Sequence, residues 1–133
     1  MMLIDSNIII YAMKPEHEEL RLIIDKTAPY VSAVSYVEVL GYHKLKEDEK
    51  HCIRDFFRAS LILPISQKVQ DKAVFLRQQR RMTLGDALIA GTALVFDLKL
   101  VTRNIGDFQW IDDLTLINPF DESSNTWQSM DLD

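Results

Sequence analysis

Four carboxylates stand at positions suited to phosphodiester chemistry. Asp5 follows the short apolar run Met2-Leu3-Ile4, Glu38 lies three residues after Ser35, Asp86 lies three residues after Thr83, and Asp107 follows Asn104-Ile105-Gly106. Each also has a purely structural explanation. Asp5 can cap the segment behind it by accepting backbone N–H groups. Ser35-x-x-Glu38 and Thr83-x-x-Asp86 both match a capping box, in which the acid reaches back to the cap's own N–H. An aspartate after Asn-Ile-Gly suits a turn. The combination is harder to explain that way. Like charges brought together repel unless a cation neutralises them. Hard divalent ions such as Mg²⁺ and Mn²⁺ favour oxygen ligands of this kind, often together with substrate phosphate. Such an ion polarises a phosphoryl group and acidifies a bound water.

The elements around these residues must bring them to one edge. Met2-Leu3-Ile4 reads as a buried strand, Ile8 to Ala12 as a short helical segment, and residues 15–27 as a helix opened by Pro15. Its acids come first and Lys26 comes last, which suits the helix dipole. Tyr30-Val31 predicts a second strand, and Ser35 to about Leu45 a helix. A further helix is expected over about 48–59, a strand at Leu61-Ile62-Leu63, and a helix capped by Ser66 that runs to about Arg80. Leu84 to Asp97 is the most apolar helix, with Ala87, Ala90, Gly91 and Ala93 small enough for close packing against a sheet. Leu100-Val101-Thr102 and Leu114-Thr115-Leu116-Ile117 complete about five short strands. Strands alternating with helices predict an α/β fold, a central parallel sheet with helices on both faces. In such folds ligands sit beyond the carboxyl ends of the strands, where Asp5 and Asp107 fall.

The bulk properties set limits. A chain of 133 residues suits one domain; we expect it over 1–120, followed by a polar tail from Asp121 to Asp133 with Trp127 and Met130 as isolated apolar residues. The hydrophobic fraction of 47% and charged fraction of 26% are those of a water-soluble globular protein. Cys52 is the single cysteine, so no internal disulfide is possible, and a cytoplasmic home is the simplest expectation. The opening Met1-Met2-Leu3-Ile4-Asp5 lacks both a basic region and a long apolar run, so it reads as neither signal peptide nor membrane span. The net charge of −5 opposes a simple electrostatic nucleic-acid binder, although clustered site acids would make a metal-free nuclease look more acidic than its loaded form.

At Leu3-Ile4-Asp5-Ser6-Asn7-Ile8, Ser32 to Leu40, Leu84-Gly85-Asp86-Ala87-Leu88-Ile89-Ala90 and Leu100 to Phe108, the chain resembles PIN-domain ribonucleases, and especially the VapC toxins of type II toxin–antitoxin pairs. The resemblance runs from about Met2 to Pro119, with four motifs in order at compatible spacings. It implies a PIN-like fold and a Mg²⁺ or Mn²⁺ site built from Asp5, Glu38, Asp86 and Asp107, with one or two ions both compatible. It further implies an endoribonuclease that leaves a 5′-phosphate and a 3′-hydroxyl. Ser6, Asn7, Thr102 and Asn104 would support the acid cluster; Ser6 stands where the family more often has Thr, and either offers a hydroxyl. A VapB-like antitoxin and a homodimer are the partners the resemblance implies. A non-catalytic PIN-like RNA- or protein-binding module, or an RNA-processing nuclease that is not a toxin, keeps the fold with another role.

Candidate RNA contacts are Arg80 and Arg81, with Arg77 beside them, and Arg103 and Lys14, set against solvated helix ends and ordinary ion pairing. His43, His51 and Cys52 match no usual zinc spacing and read as surface histidines and a buried thiol. Phe108, Trp110 and Phe120 read as core aromatics rather than base platforms. Aspartyl-phosphate chemistry of the haloacid-dehalogenase kind would need Asp-x-Asp where the chain has Asp5-Ser6-Asn7, and a receiver-type domain would need an acid where Leu63-Pro64-Ile65-Ser66 stands.

Overall fold

The computed structural model describes residues 1–121. The element order is β1 (Met2–Ile4), α1 (Ser6–Ala12), a 3₁₀ turn (Pro15–His17), α2 (Glu18–Thr27), β2 (Val31–Ser32), α3 (Ala33–Leu40), α4 (Glu47–Ala59), β3 (Ile62–Leu63), α5 (Gln67–Gln79), α6 (Leu84–Val95), β4 (Lys99–Val101), α7 (Ile105–Phe108) and β5 (Leu116–Ile117). The predicted α/β architecture is present: among the described residues there are five short strands, all parallel. They form a three-stranded piece ordered β1-β4-β5 and a two-stranded piece β2-β3. A single parallel bridge between Leu3 and Tyr30 joins the two, so the full order is β3-β2-β1-β4-β5.

Strand alternation sorts the core into two layers. Met2 and Ile4 face α1, α2 and α4, packing with Ile8, Ile9, Ile24, Ile53 and Phe57. Leu3 faces the other way, into a cluster with Leu76, Ile89, Ala90, Leu100 and Phe108 from α5, α6, β4 and α7. Helices therefore cover both faces. The small residues of α6 are buried as expected. Ala90 and Ala93 pack with Leu3 and Leu100 of the sheet, whereas Gly91 faces α5, where a Cβ would come within 3.1 Å of the Val69 carbonyl oxygen.

Several expectations need correction. The helix predicted from Ser35 begins at Ala33 and ends at Leu40, because Ser32, not Ser35, is its cap and accepts from the Val34 N–H at 3.0 Å. The segment 15–27 starts with a 3₁₀ turn before α2. Asp107 lies inside the one-turn helix α7 rather than in an open turn. Cys52 is exposed, not buried, with its Sγ 3.1 Å from Met13 Sδ. Phe108 is fully buried as expected, and Trp110 and Phe120 are partly buried against the two core clusters. Among the described residues no helix is long and apolar enough to cross a membrane. The predicted tail, with Trp127 and Met130, lies outside the described residues apart from Asp121.

Candidate active site

The site lies at the carboxyl edge of the sheet. Asp5 follows β1 directly and donates its backbone N–H to the Val101 carbonyl at 2.9 Å, which ties it to the end of β4. Its side chain is 4% exposed. One carboxylate oxygen accepts from the Ser6 N–H at 2.7 Å and the other from Thr102 Oγ1 at 2.8 Å. Asp5 thus both caps α1 and faces the other acids; the structural and chemical explanations coexist. Thr102, fully buried, accepts in turn from the Asn104 N–H at 3.0 Å, so its single hydroxyl proton is left for Asp5.

Glu38 reaches the site from α3, whose start is set by Ser32 at the end of β2. It does not bend back to its own helix cap. Its Oε1 accepts from Ser6 Oγ at 2.8 Å, and Ser35 Oγ lies 2.9 Å from Ser6 Oγ. Since Ser6 gives its proton to the carboxylate, Ser35 is the donor to Ser6. The Ser35 hydroxyl therefore supports the site by a relay. The sequence pattern pointed to a cap because Ser-x-x-Glu is what a cap looks like.

Asp86 sits in the first turn of α6, whose cap Thr83 accepts from the Asp86 N–H at 3.1 Å. That helix runs back to the amino end of β4, so its start lies at the carboxyl edge of the sheet. Gly85 explains how α3 and α6 approach there: a Cβ at this position would stand 2.7 Å from Glu38 Oε2. Glycine in a helical turn costs up to about 1 kcal/mol relative to Ala, and here it leaves room for a carboxylate. A glycine at that cost, directly before an acid, was the signal available in the sequence. Asp107 is exposed on α7, its backbone carbonyl accepting from Trp110 Nε1 at 3.2 Å.

Electrostatics link the four acids. Burial raises the Asp5 carboxyl most, the negative charges of Asp86 and Glu38 raise it further, and the Thr102 and Ser6 hydrogen bonds pull it down; the balance leaves it at about 6. Asp86 is also raised, first by burial and then by Asp107 and Glu38, against the lowering hydrogen bond from Thr83. The structure thus brings Asp5, Glu38, Asp86 and Asp107 into one field, with Ser6 and Thr102 bonded to two of them. Asn104 contributes its backbone N–H. Asn7, on α1, makes no side-chain hydrogen bond among the described residues.

The candidate RNA contacts divide into two groups. Arg103 has no carboxylate within ion-pair distance among the described residues; its guanidinium lies 4.7 Å from the Phe120 ring centroid and 5.2 Å from that of Tyr11. Lys14 Nζ lies 5.6 Å from the Tyr11 centroid. Arg80 and Arg81, with Arg77, instead line a cavity of about 550 Å³ that also takes in Asp86, Asp107 and Trp110.

A family model described as the PIN domain matches residues 2–113. No sequence match to a curated protein was found. Among solved structures, the fold is similar to a toxin–antitoxin complex from Klebsiella pneumoniae, 28% identical, covering 91% of this chain and 99% of that one with a TM-score of 0.75. It is similar to VapBC2 from Rickettsia felis bound to a DNA fragment from its promoter, 25% identical, covering 88% and 97% with a TM-score of 0.74. FitAcB from Neisseria gonorrhoeae, 24% identical, covering 90% and 98% with a TM-score of 0.70, shares the fold. The motifs, the parallel sheet and the family match over most of the chain agree, and the chain belongs to the PIN domain family.

Proposed function

We propose that this chain is a metal-dependent endoribonuclease, the toxin of a VapBC-type toxin–antitoxin pair, with Asp5, Glu38, Asp86 and Asp107 as its catalytic and metal-binding acids. The observation that carries this reading is the convergence of those carboxylates on one sheet edge, with Asp5 held largely out of water and raised to about 6. A buried acid under such pressure marks a functional site more often than a structural one. The donor set is oxygen only, which fits Mg²⁺ or Mn²⁺. Among the described residues no three acids, histidines or cysteines are gathered closely enough to chelate an ion as they stand. Asp5 is held by Thr102, Glu38 by Ser6 and Asp86 by Thr83, whereas Asp107 is an exposed side chain. Asp5 and Asp86 would therefore be the direct ligands, with Glu38 oriented beside them and Asp107 the adjustable one.

A divalent ion bound here would polarise the scissile phosphoryl group and supply an acidified water for in-line attack. The chain's own part is positioning and proton transfer. Ser6 and Thr102 orient Glu38 and Asp5, and Glu38, open to solvent, would take a proton from the attacking water. The likeness to toxin–antitoxin complexes supports an antitoxin partner, and the family resemblance adds a homodimer. The test is RNA cleavage by wild type and Asp86→Asn with Mg²⁺ or Mn²⁺ and with EDTA. Cleavage by wild type only, abolished by EDTA, is the expected result, with the variant at least about a hundredfold slower. Absence of cleavage on any cellular RNA would favour the non-catalytic binding module.

A further inference from the structure

Positive charge is unevenly arranged around the acidic edge. On the side of α1, Arg103 and Lys14 lie over the rings of Tyr11 and Phe120, and His17 packs edge-on against both rings at 5.9 and 5.2 Å. On the side of α5 and α7, three exposed arginines border the cavity that holds Asp86 and Asp107. Arg77 Nε donates to the Met82 carbonyl at 3.3 Å, and the Arg80 guanidinium lies 5.7 Å from the Trp110 ring centroid. Arg81 makes no hydrogen bond or ion pair among the described residues. None of the three meets a carboxylate within ion-pair distance, although two acids share the cavity. A favourable helix dipole accounts for Arg77, in the last turn of α5. The dipole also reaches Arg80, the C-cap of α5, and weakens at Arg81 beyond it.

We propose that this cavity is a nucleotide subsite for single-stranded RNA beside the acidic edge. Its volume of about 550 Å³ suits a nucleotide. Arg80 and Arg81 contact the phosphate next to the scissile one, and the Trp110–Arg80 pair offers a planar surface against which an unpaired base stacks. Single strands expose base faces to aromatic and guanidinium planes, whereas paired strands do not. A polyglutamate peptide carries no aromatic ring to stack on Trp110. The subsite also answers the net charge of −5, since the attraction is local rather than global. The inference rests on the nuclease reading for the place of the scissile phosphate, but RNA binding in the cavity does not require cleavage.

The test uses the full chain carrying Trp127→Phe, so that Trp110 is the only tryptophan. A short single-stranded RNA is titrated in EDTA, with Trp110 emission and anisotropy of the labelled RNA read together. The expected result is saturable quenching of Trp110. Arg80→Gln and Arg81→Gln should each weaken binding about threefold at moderate salt and reduce the salt slope by about one. Lys68→Gln, exposed at the other end of α5, should leave both readouts unchanged. RNA binding without quenching, binding indifferent to Arg80 and Arg81, a loss seen instead with Arg103→Gln, or equal competition by a polyglutamate peptide would each overturn it. Arginine-dependent binding by a wild-type protein that shows no Mn²⁺-dependent cleavage would leave the subsite standing and overturn the nuclease reading. Cleavage with arginine-independent binding would do the reverse.

Discussion

Asp5 carries the clearest physical signature of any single residue. Its folded value of about 6 exceeds the unfolded value of 3.8, so the folded chain holds its proton more tightly than the unfolded chain. The stability this contributes is present below the unfolded value and is lost as pH rises through about 6. At neutral pH the buried carboxylate therefore costs up to about 3 kcal/mol in the metal-free protein. Asp5→Asn keeps an acceptor for the Ser6 N–H and an amide facing Thr102 while removing the charge. We expect it to abolish cleavage yet raise metal-free stability at pH 7.5 by about 1–3 kcal/mol, with no gain at pH 4. Urea unfolding at the two pH values checks this; a destabilised variant at pH 7.5 would show that the carboxylate is not under strain.

At the scale of elements, the start of α6 shows how packing overrides local preference. Alanine would serve the helix better than Gly85 by up to about 1 kcal/mol. The space is needed for Glu38, since a Cβ would stand 2.7 Å from Oε2. Because the conflict is with the far end of a flexible side chain, Gly85→Ala should fold normally and displace only the carboxylate. We expect unchanged or slightly raised thermal stability together with a loss of about ten- to hundredfold in cleavage rate. Equal activity in the two proteins would show that Glu38 does not need this position. The same element logic covers Ser35: its pattern with Glu38 is a capping box in sequence, but Ser32 starts the helix earlier and turns Ser35 toward Ser6.

For the whole molecule, the excess of negative charge at one sheet edge makes stability responsive to cations. An ion that binds the folded chain and not the unfolded one stabilises it by mass action, about 2.7 kcal/mol at a hundred times its dissociation constant. Mn²⁺ should therefore raise the thermal midpoint of wild type and have little effect on Asp5→Asn or Asp86→Asn. The comparison is made by calorimetry at fixed ionic strength, so that general screening is held constant. A rise of equal size in all three proteins would remove these acids from the ion site.

The parallel α/β architecture was legible in the sequence, as were Asp5 at a strand end and Asp86 at a helix start; Glu38, near the end of α3, and Asp107, inside α7, were not placed so closely. The legible parts follow from local rules: short apolar runs alternate with amphipathic segments, and polar residues mark where each ends. Helix boundaries were less legible, as with α3, because several serines compete to cap one helix start and only packing selects among them. Only the tertiary structure decided what these residues do to one another. The Thr102 bond to Asp5 spans 97 positions and the Ser6 bond to Glu38 spans 32. Likewise, the separation of Arg103 and Lys14 from Arg80 and Arg81 depends on which aromatic rings and acids share a cavity, and Trp110 acquires its place through α7. Sequence patterns report neighbours along the chain, whereas charge repulsion, burial and hydrogen bonding act through space.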